Sequence, residues 1–160
     1  MPDIHADNSA PNLAISPRQR WMGVLARADG AELEAHWANY KQGGGYDVLR
    51  QPESGLVMVR GRAGGNGQQF NLGEITVTRC SVRLREGAIG HAYVAGRNRQ
   101  HAELAAAFDA LLQTPSLRDV IESLVIAPLE KKFQVAQEER SKKAAATKVN
   151  FFTMVRGEDE

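Results

Sequence analysis

Little in this sequence supports a disulfide or a metal site. The chain has a single cysteine, Cys80, so no disulfide can form within it, and such cysteine usage is typical of a reducing, cytoplasmic location. The four histidines show no metal-ligand spacing with one another or with the cysteine; they are His5, His36, His91 and His101. We therefore expect this chain alone to bind no metal ion and no other cofactor.

Several longer signals are also missing. There is no run of 18 apolar residues and no apolar stretch within residues 1–16, so we expect neither a transmembrane helix, nor a secretory signal, nor membrane association. A phosphate loop, a dinucleotide-binding glycine pattern and a Gly-x-Ser-x-Gly nucleophile elbow are all lacking, and we predict no catalytic residues. The net charge of +1 argues against nucleic-acid binding through bulk charge.

What the sequence does contain is an Arg- and Gly-rich middle. Seven arginines and two glutamates lie between Arg60 and Arg99, which gives this stretch a charge of +5. Concentrated positive charge suits a phosphate-bearing ligand or an acidic partner. The alternative is a pair of strands whose arginines are simply solvated on an outer face.

The N-terminal part has the pattern of two helices. Ser16 and Gln19 have the spacing of a capping box, and Trp21 begins an apolar stripe at helical spacing. A break at Asp29 and Gly30 precedes a second helix, which the glycines 43–45 end.

The middle of the chain has the alternation and turn residues of strands. Predicted strands are separated by a turn at 51–55, a glycine loop at 63–67 and a hairpin turn at 86–87; they cover 46–50, 56–60, 68–72, 75–85 and 89–95. Within 75–85 the apolar phase shifts, which requires a bulge, a strong twist or two buried faces. The fold class predicted from these elements is α+β, with a small, mostly antiparallel sheet between N-terminal and C-terminal helices.

Helices return after residue 97. Asn98 is a candidate N-cap for a helix that runs to Leu112, a second helix covers 117–126 and stops near Pro128, and a long charged helix covers 129–148. The predicted organisation is therefore a flexible leader at 1–15, a single α+β domain at 16–148 with a projecting C-terminal helix, and a partner-docking tail at 149–160.

The tail carries an apolar cluster at a position where chain ends are normally polar. Its predicted interface residues are Phe151, Phe152, Met154, Val155 and Arg156. The cluster either folds back onto the domain or docks on another protein, and docking is favoured because the charged helix leads it away from the domain.

Two segments have the composition of ligand sites. Arg97, Arg99 and His101 lie where a strand meets a helix N-terminus, a natural place for an anion; a capped helix with exposed arginines is the alternative. The glycine loop presents backbone N–H groups that suit a phosphate, although a purely structural turn has the same composition. Its candidate ligand-binding residues are Arg62, Gly64, Gly65 and Gly67.

Several longer strings resemble a known family. RQRWMGVLA (18–26), RAGGNGQQF (62–70), GEITVTRCSVRL (73–84), GRNRQHAE (96–103), APL (127–129) and NFFTMVRG (150–157) stand in the order and spacing of PhnG, one of the subunits of the bacterial carbon–phosphorus lyase core complex. The resemblance extends from about residue 18 to residue 157.

The resemblance implies a role in the use of phosphonates as a phosphorus source. In that family, PhnG acts with the H and I subunits and the ABC-type L subunit in a transferase reaction that makes α-D-ribose 1-methylphosphonate 5-triphosphate from ATP and methylphosphonate and displaces adenine. PhnG and the H, I and J subunits form a two-fold hetero-octamer. The I subunit is linked to the nucleosidase step and the J subunit to later radical S-adenosylmethionine chemistry.

No catalytic residue carries over to this chain from the family. Two roles follow as expectations: a scaffold that docks mainly on the I subunit, or a subunit whose arginines bind the triphosphate or phosphonate directly.

Overall fold

The computed structural model describes residues 15–40 and 45–147. Within them, an antiparallel sheet of order β1-β2-β3 is formed by β1 (Tyr46–Arg62), β2 (Gln69–Leu84) and β3 (Ile89–Ala95). The helices are α1 (Pro17–Arg27), α2 (Gly30–Tyr40), α3 (Arg99–Leu112), α4 (Pro115–Ile121) and α5 (Ala127–Ala146). The predicted α+β class is confirmed.

Local signals at the helix starts are borne out. The Gln19 N–H donates to Ser16 Oγ (3.2 Å), and the Ser16 N–H donates to Gln19 Oε1 (2.9 Å), which completes the capping box of α1. Asn98 caps α3 by accepting the His101 N–H at 3.0 Å. Asp29 Oδ1 accepts the Ala31 N–H, so the predicted break between the first two helices is also the start of α2.

The core lies between the sheet and α3. From His101 to Leu112, α3 is almost entirely buried, and the edges of the Trp37 and Tyr40 rings from α2 pack against Phe108. A Cβ atom at Gly90 of β3 would lie 1.9 Å from the Ala106 carbonyl oxygen. Only glycine therefore permits α3 to lie this close to β3.

The turn predicted at 51–55 is wrong, because β1 runs through these residues without ending. Its pairing with β2 shifts register between Val48 and Arg50 and again between Arg50 and Glu53. Pro52 falls in this second irregularity, on an edge strand, where its missing N–H costs no regular ladder hydrogen bond. The Pro-Glu-Ser-Gly sequence therefore marks a bulge and not a chain reversal.

The strands predicted at 68–72 and 75–85 join into the single strand β2. The shift of apolar phase in β2 arises because residues on both faces of the strand are buried. Thr78, Cys80 and Val82 point toward the helices, whereas Val77 is buried on the outer face beside Tyr93. A period of two is therefore kept throughout this part of the strand.

Beyond the end of β3, strands β1 and β2 continue without a third strand. The Gly96 N–H donates to the Thr76 carbonyl (2.8 Å) at the point where β3 leaves the sheet. We call the remaining two-stranded ribbon, residues 55–62 and 69–76, the β-arm. None of its residues is buried in the described structure.

The helix end predicted near Pro128 is also wrong. A π-helical segment, Glu122–Ile126, links α4 to α5, and Pro128 lies in the first turn of α5. The Ala127 N–H bonds to the Glu122 carbonyl, five residues back, so the wider turn carries the chain past a residue without an N–H.

In α5, Leu129 is buried, and the residues from Gln137 to Thr147 are exposed. None of the helices in the described ranges has the length and apolar character needed to cross a membrane. Residues 1–14 of the predicted leader and the tail at 149–160 lie outside the described residues, and the domain boundaries stay predictions.

Candidate functional site

The predicted site at the junction of β3 and α3 divides into two parts. Arg97 and Arg99 are exposed at the start of α3, after Gly96, whose φ of 90° is in the left-handed region. His101 is instead buried, and its Nε2–H donates to the Leu25 carbonyl at 2.8 Å. The imidazole therefore joins α3 to the end of α1, whereas both guanidinium groups face solvent.

Beside this junction lies a surface cleft of about 560 Å³, which we call the basic cleft. Its lining residues come from α1, β3, α3 and α5; they are Ala26, Arg27, Ala28, Ala95, His101, Phe133, Gln137 and Arg140. Arg27 is held in place because its Nε–H donates to the Gly23 carbonyl (2.9 Å) and its guanidinium lies 5.1 Å from the Phe133 ring centroid. These lining residues include two arginines and no carboxylate, so the cleft suits an anion.

Sequence reasoning missed Arg27 and Arg140 as parts of this site. They are more than a hundred positions apart, and the contact of the Arg27 guanidinium with the Phe133 ring joins the end of α1 to α5 beside the cleft. Arg27 is the basic residue of the last turn of α1, which is an ordinary helix signal and indicates no ligand.

The glycine loop lies at the tip of the β-arm, far from the basic cleft. Gly64 has φ 61° within the short 3-10 turn Ala63–Gly65, and the Gly67 N–H donates to the Ala63 carbonyl at 2.9 Å. The Arg62 guanidinium donates to the Gly67 carbonyl at 3.0 Å. The Gly67 N–H, which was predicted to bind a phosphate, is therefore already bonded to the Ala63 carbonyl within the turn.

The two candidate ligand sites are not brought together. The arm extends eight residues of β2 past the end of β3, or about 26 Å at roughly 3.3 Å per residue. The predicted interface residues Phe151, Phe152, Met154, Val155 and Arg156 lie outside the described residues, and their role stays a prediction.

A buried carboxylate that sequence reasoning missed joins three elements. Asp109 of α3 is fully buried and accepts hydrogen bonds from Arg18 Nη2 (2.7 Å), Trp21 Nε1 (2.9 Å) and the His91 backbone N–H (2.9 Å). The only sequence signal is an acidic residue between the apolar positions of α3. Its contacts indicate a structural role that fixes α1 and β3 on α3.

Cys80 has the features of a core residue. It is buried on the helix-facing side of β2, and burial raises the pKa of its thiol to about 11. The thiol donates to the Arg50 carbonyl at 3.3 Å. A nucleophilic thiolate is disfavoured in these surroundings.

Fold and surface together define a small α+β domain with an exposed β-arm and a basic surface cleft. Residues 16–157 match the family model described as "Phosphonate metabolism protein PhnG". A relative from Rhizobium meliloti (strain 1021), named "Alpha-D-ribose 1-methylphosphonate 5-triphosphate synthase subunit PhnG", is 42% identical over 159 residues, which cover 98% of this chain and 99% of the relative. The chain belongs to the PhnG family of phosphonate metabolism proteins, as its sequence strings predict.

Proposed function

We propose that this chain is a subunit of an α-D-ribose 1-methylphosphonate 5-triphosphate synthase and serves it mainly as a scaffold. The observation that carries the proposal is the agreement along almost the whole length of both chains with a relative named as such a subunit. In this proposal the chain docks mainly on the I subunit, within a core that also holds the H and J subunits. With the ABC-type L subunit, that assembly converts ATP and methylphosphonate to the product and displaces adenine.

Two features of the structure support a docking role. The last turns of α5 are exposed up to Thr147, and the predicted apolar tail follows them in sequence. The β-arm carries large apolar side chains on its surface, which is unusual for a protein that functions alone.

The test is co-expression of tagged chain with the H, I and J subunits, in full length and in a version that ends at residue 149. The expected result is a stoichiometric complex with the full-length chain and a much lower recovery with the truncated chain. With the L subunit added, the complex should release adenine from ATP only when methylphosphonate is present. Failure of the full-length chain to assemble would refute the proposed function, whereas equal recovery of both versions would refute the role of the tail alone.

A second candidate role is direct binding of the triphosphate or phosphonate by arginines. The observation that favours it is the basic cleft beside the exposed Arg97 and Arg99. Arg97→Ala and Arg99→Ala should leave assembly intact and reduce kcat/KM for adenine release, because each lost charge-assisted contact costs about 1.5–3 kcal/mol. Arg85→Ala, at an exposed position near the β2–β3 turn, is the matched control. Full activity, or loss of assembly, in the two variants would exclude this role.

A further inference from the structure

The β-arm presents a row of large apolar side chains on one of its faces. Val57 pairs with Ile75, so both point to the same side of the ribbon. One register shift then leaves Leu72 as an extra residue in β2, and a Cβ atom placed on Gly61 would lie 3.7 Å from Phe70 Cζ and 3.9 Å from Leu72 Cβ. We call this face the apolar strip; its members are Val57, Val59, Phe70, Leu72 and Ile75.

The apolar strip is open to solvent along its length. Phe70 is 46% exposed, Leu72 65% and Ile75 45%, and no other element of the described structure covers them. A two-stranded ribbon by itself is only marginally stable in water, since it buries little apolar area. An extended, twisted ribbon with such a face therefore has the features of a segment whose partner lies on another molecule.

The unpaired strand edges of the β-arm also indicate a partner on another molecule. β1 is an edge strand of the sheet, and β2 also has a free edge from Ile75 toward the tip because β3 ends at Ala95 and the Gly96 N–H bonds to the Thr76 carbonyl. Backbone donors and acceptors at such edges are available to a strand or loop of a partner. By contrast, the edge of β3 lies beside α1. A strand of a partner can therefore add to the sheet at the β-arm but not at β3.

Charge restricts the kind of partner. The ionisable residues of the arm are Arg60, Arg62 and Glu74, which sum to +1, and within the described residues none of them takes part in an ion pair. Both arginines lie near the tip, on the same face of β1 as Met58 and opposite the apolar strip, so in a groove that holds the strip they face its rim and not its floor. A second copy of this chain would bring a like-charged arm against this one, whereas a partner with carboxylates around an apolar groove would complement both features.

We propose that the β-arm inserts its apolar strip into an apolar, carboxylate-rimmed groove on a different subunit of the synthase assembly. This inference rests on the proposed function and deepens it, because it names a surface of this chain that makes the contact and the chemistry of the surface it meets. The side chains of the strip supply the buried area, and Arg60 and Arg62 orient the tip against the acidic rim.

The opposite face of the arm supplies a matched control for the test. Leu56 and Met58 are 63% and 51% exposed there, so their loss removes at least as much exposed apolar surface as the loss of Phe70 and Ile75. Phe70→Ser with Ile75→Ser is the strip variant, and Leu56→Ser with Met58→Ser is the control variant. Each is co-expressed in the full-length chain with the H, I and J subunits, and the complex is recovered through a tag on one of those three.

Recovery of this chain in the complex should fall by about tenfold or more for the strip variant and stay within about twofold for the control variant. Arg60→Glu with Arg62→Glu should also reduce recovery, and more strongly at low salt than at high salt, since the contact is electrostatic. Hydrogen exchange of the wild-type chain should show protection of 55–62 and 69–76 in the complex relative to the free chain.

Four results would overturn the inference. Normal recovery of the strip variant would show that the strip is not an interface, and equal losses in the strip and control variants would show no preference for one face. Concentration-dependent dimerisation of the free wild-type chain, lost in the strip variant, would assign the surface to a second copy. Failure of the wild-type chain to assemble would remove the proposed function itself, and this inference with it.

Discussion

Replacing Asp109 with alanine is expected to destabilise the domain more than any other single removal of a charge in the described part of the chain. The carboxylate is fully buried and receives hydrogen bonds from α1, through Arg18 and Trp21, and from β3, through the His91 backbone N–H. Two of these donors, Trp21 Nε1–H and the backbone N–H of His91, are held at the carboxylate by the packing of α1 and β3 against α3. The third, from Arg18, comes from a side chain that is 39% exposed.

The size of the loss in stability depends on whether each donor finds another acceptor once the carboxylate is removed. A buried donor left without an acceptor costs about 1–3 kcal/mol, and two are left here. The Arg18 guanidinium can rehydrate, so its lost ion pair adds only about 0–1 kcal/mol. We therefore expect a loss of about 2–7 kcal/mol in the free energy of unfolding. Asp109→Asn should cost less, because the amide keeps the shape and one acceptor oxygen but loses the charge.

The assay is urea denaturation of the full-length chain followed by tryptophan fluorescence, to which Trp21 contributes from within the network. Asp47→Ala is the control, because its carboxylate is exposed and lies 3.8 Å from Arg83; it should change stability by less than about 0.5 kcal/mol. A loss below about 1 kcal/mol for Asp109→Ala would refute the reasoning, since it would mean that water or another acceptor satisfies the donors at no cost.

Three further predictions concern other parts of the fold. Arg20 bonds to Glu130 and lowers the pKa of that carboxyl, so the pair stabilises the fold above the ordinary pKa of 4.5, and its contribution is lost as the pH falls through the lowered pKa. Arg20→Gln should therefore reduce the free energy of unfolding at pH 7 by about 1 kcal/mol or less. In a plot of the urea midpoint against pH, the decline on the acid side should become less steep. Gly90→Ala should lower the free energy of unfolding by about 3 kcal/mol or more, because the added Cβ would overlap the α3 backbone. The control is Gly23→Ala, whose added Cβ has no atom within 4 Å and should stabilise α1 by about 0.5–1 kcal/mol. Equal changes of Tm in the two variants would contradict this packing. Because burial raises the pKa of Cys80 to about 11, only about one thiol in a thousand is ionised at pH 8, so a disulfide reagent should react slowly until urea unfolds the chain.

Sequence patterns predicted the elements whose causes are local. The capping box at Ser16, the cap at Asn98 and the turn at Gly87 each depend on residues within four positions, and each was placed correctly. The errors at 51–55 and at Pro128 have the opposite cause. At both sites a local break signal is overridden, by pairing with β2 in one case and by a π-helical turn in the other. The outcome at 51–55 depends on β2, which is distant in sequence, whereas the one at Pro128 depends on the bond from the Ala127 N–H to the Glu122 carbonyl, which the proline signal does not reveal.

The candidate site shows the same division between local and distant causes. The positive stretch from Arg60 to Arg99 does not form one surface. Its first arginines lie on the β-arm, Arg79 lies on the outer face of the sheet within 2.7 Å of a Glu53 oxygen, and Arg97 and Arg99 lie at the start of α3. A charge count along the chain therefore overstates how concentrated the positive charge is in space, because the fold places these arginines on three separate surfaces.

The basic cleft instead depends on how α5 is held against α1. Arg27 and Arg140 line the same cleft because α5 lies near α1, a position held by the buried Leu129 together with the contacts of Arg20 with Glu130 and of Arg27 with Phe133. Both contacts are partly solvated and therefore individually weak. The basic cleft and the placement of α5 are thus one structural feature, since any change that releases α5 also removes a wall and a cation of the cleft. Arg20→Gln consequently tests more than stability: if the basic cleft binds an anion, this variant should weaken that binding although Arg20 does not line the cleft.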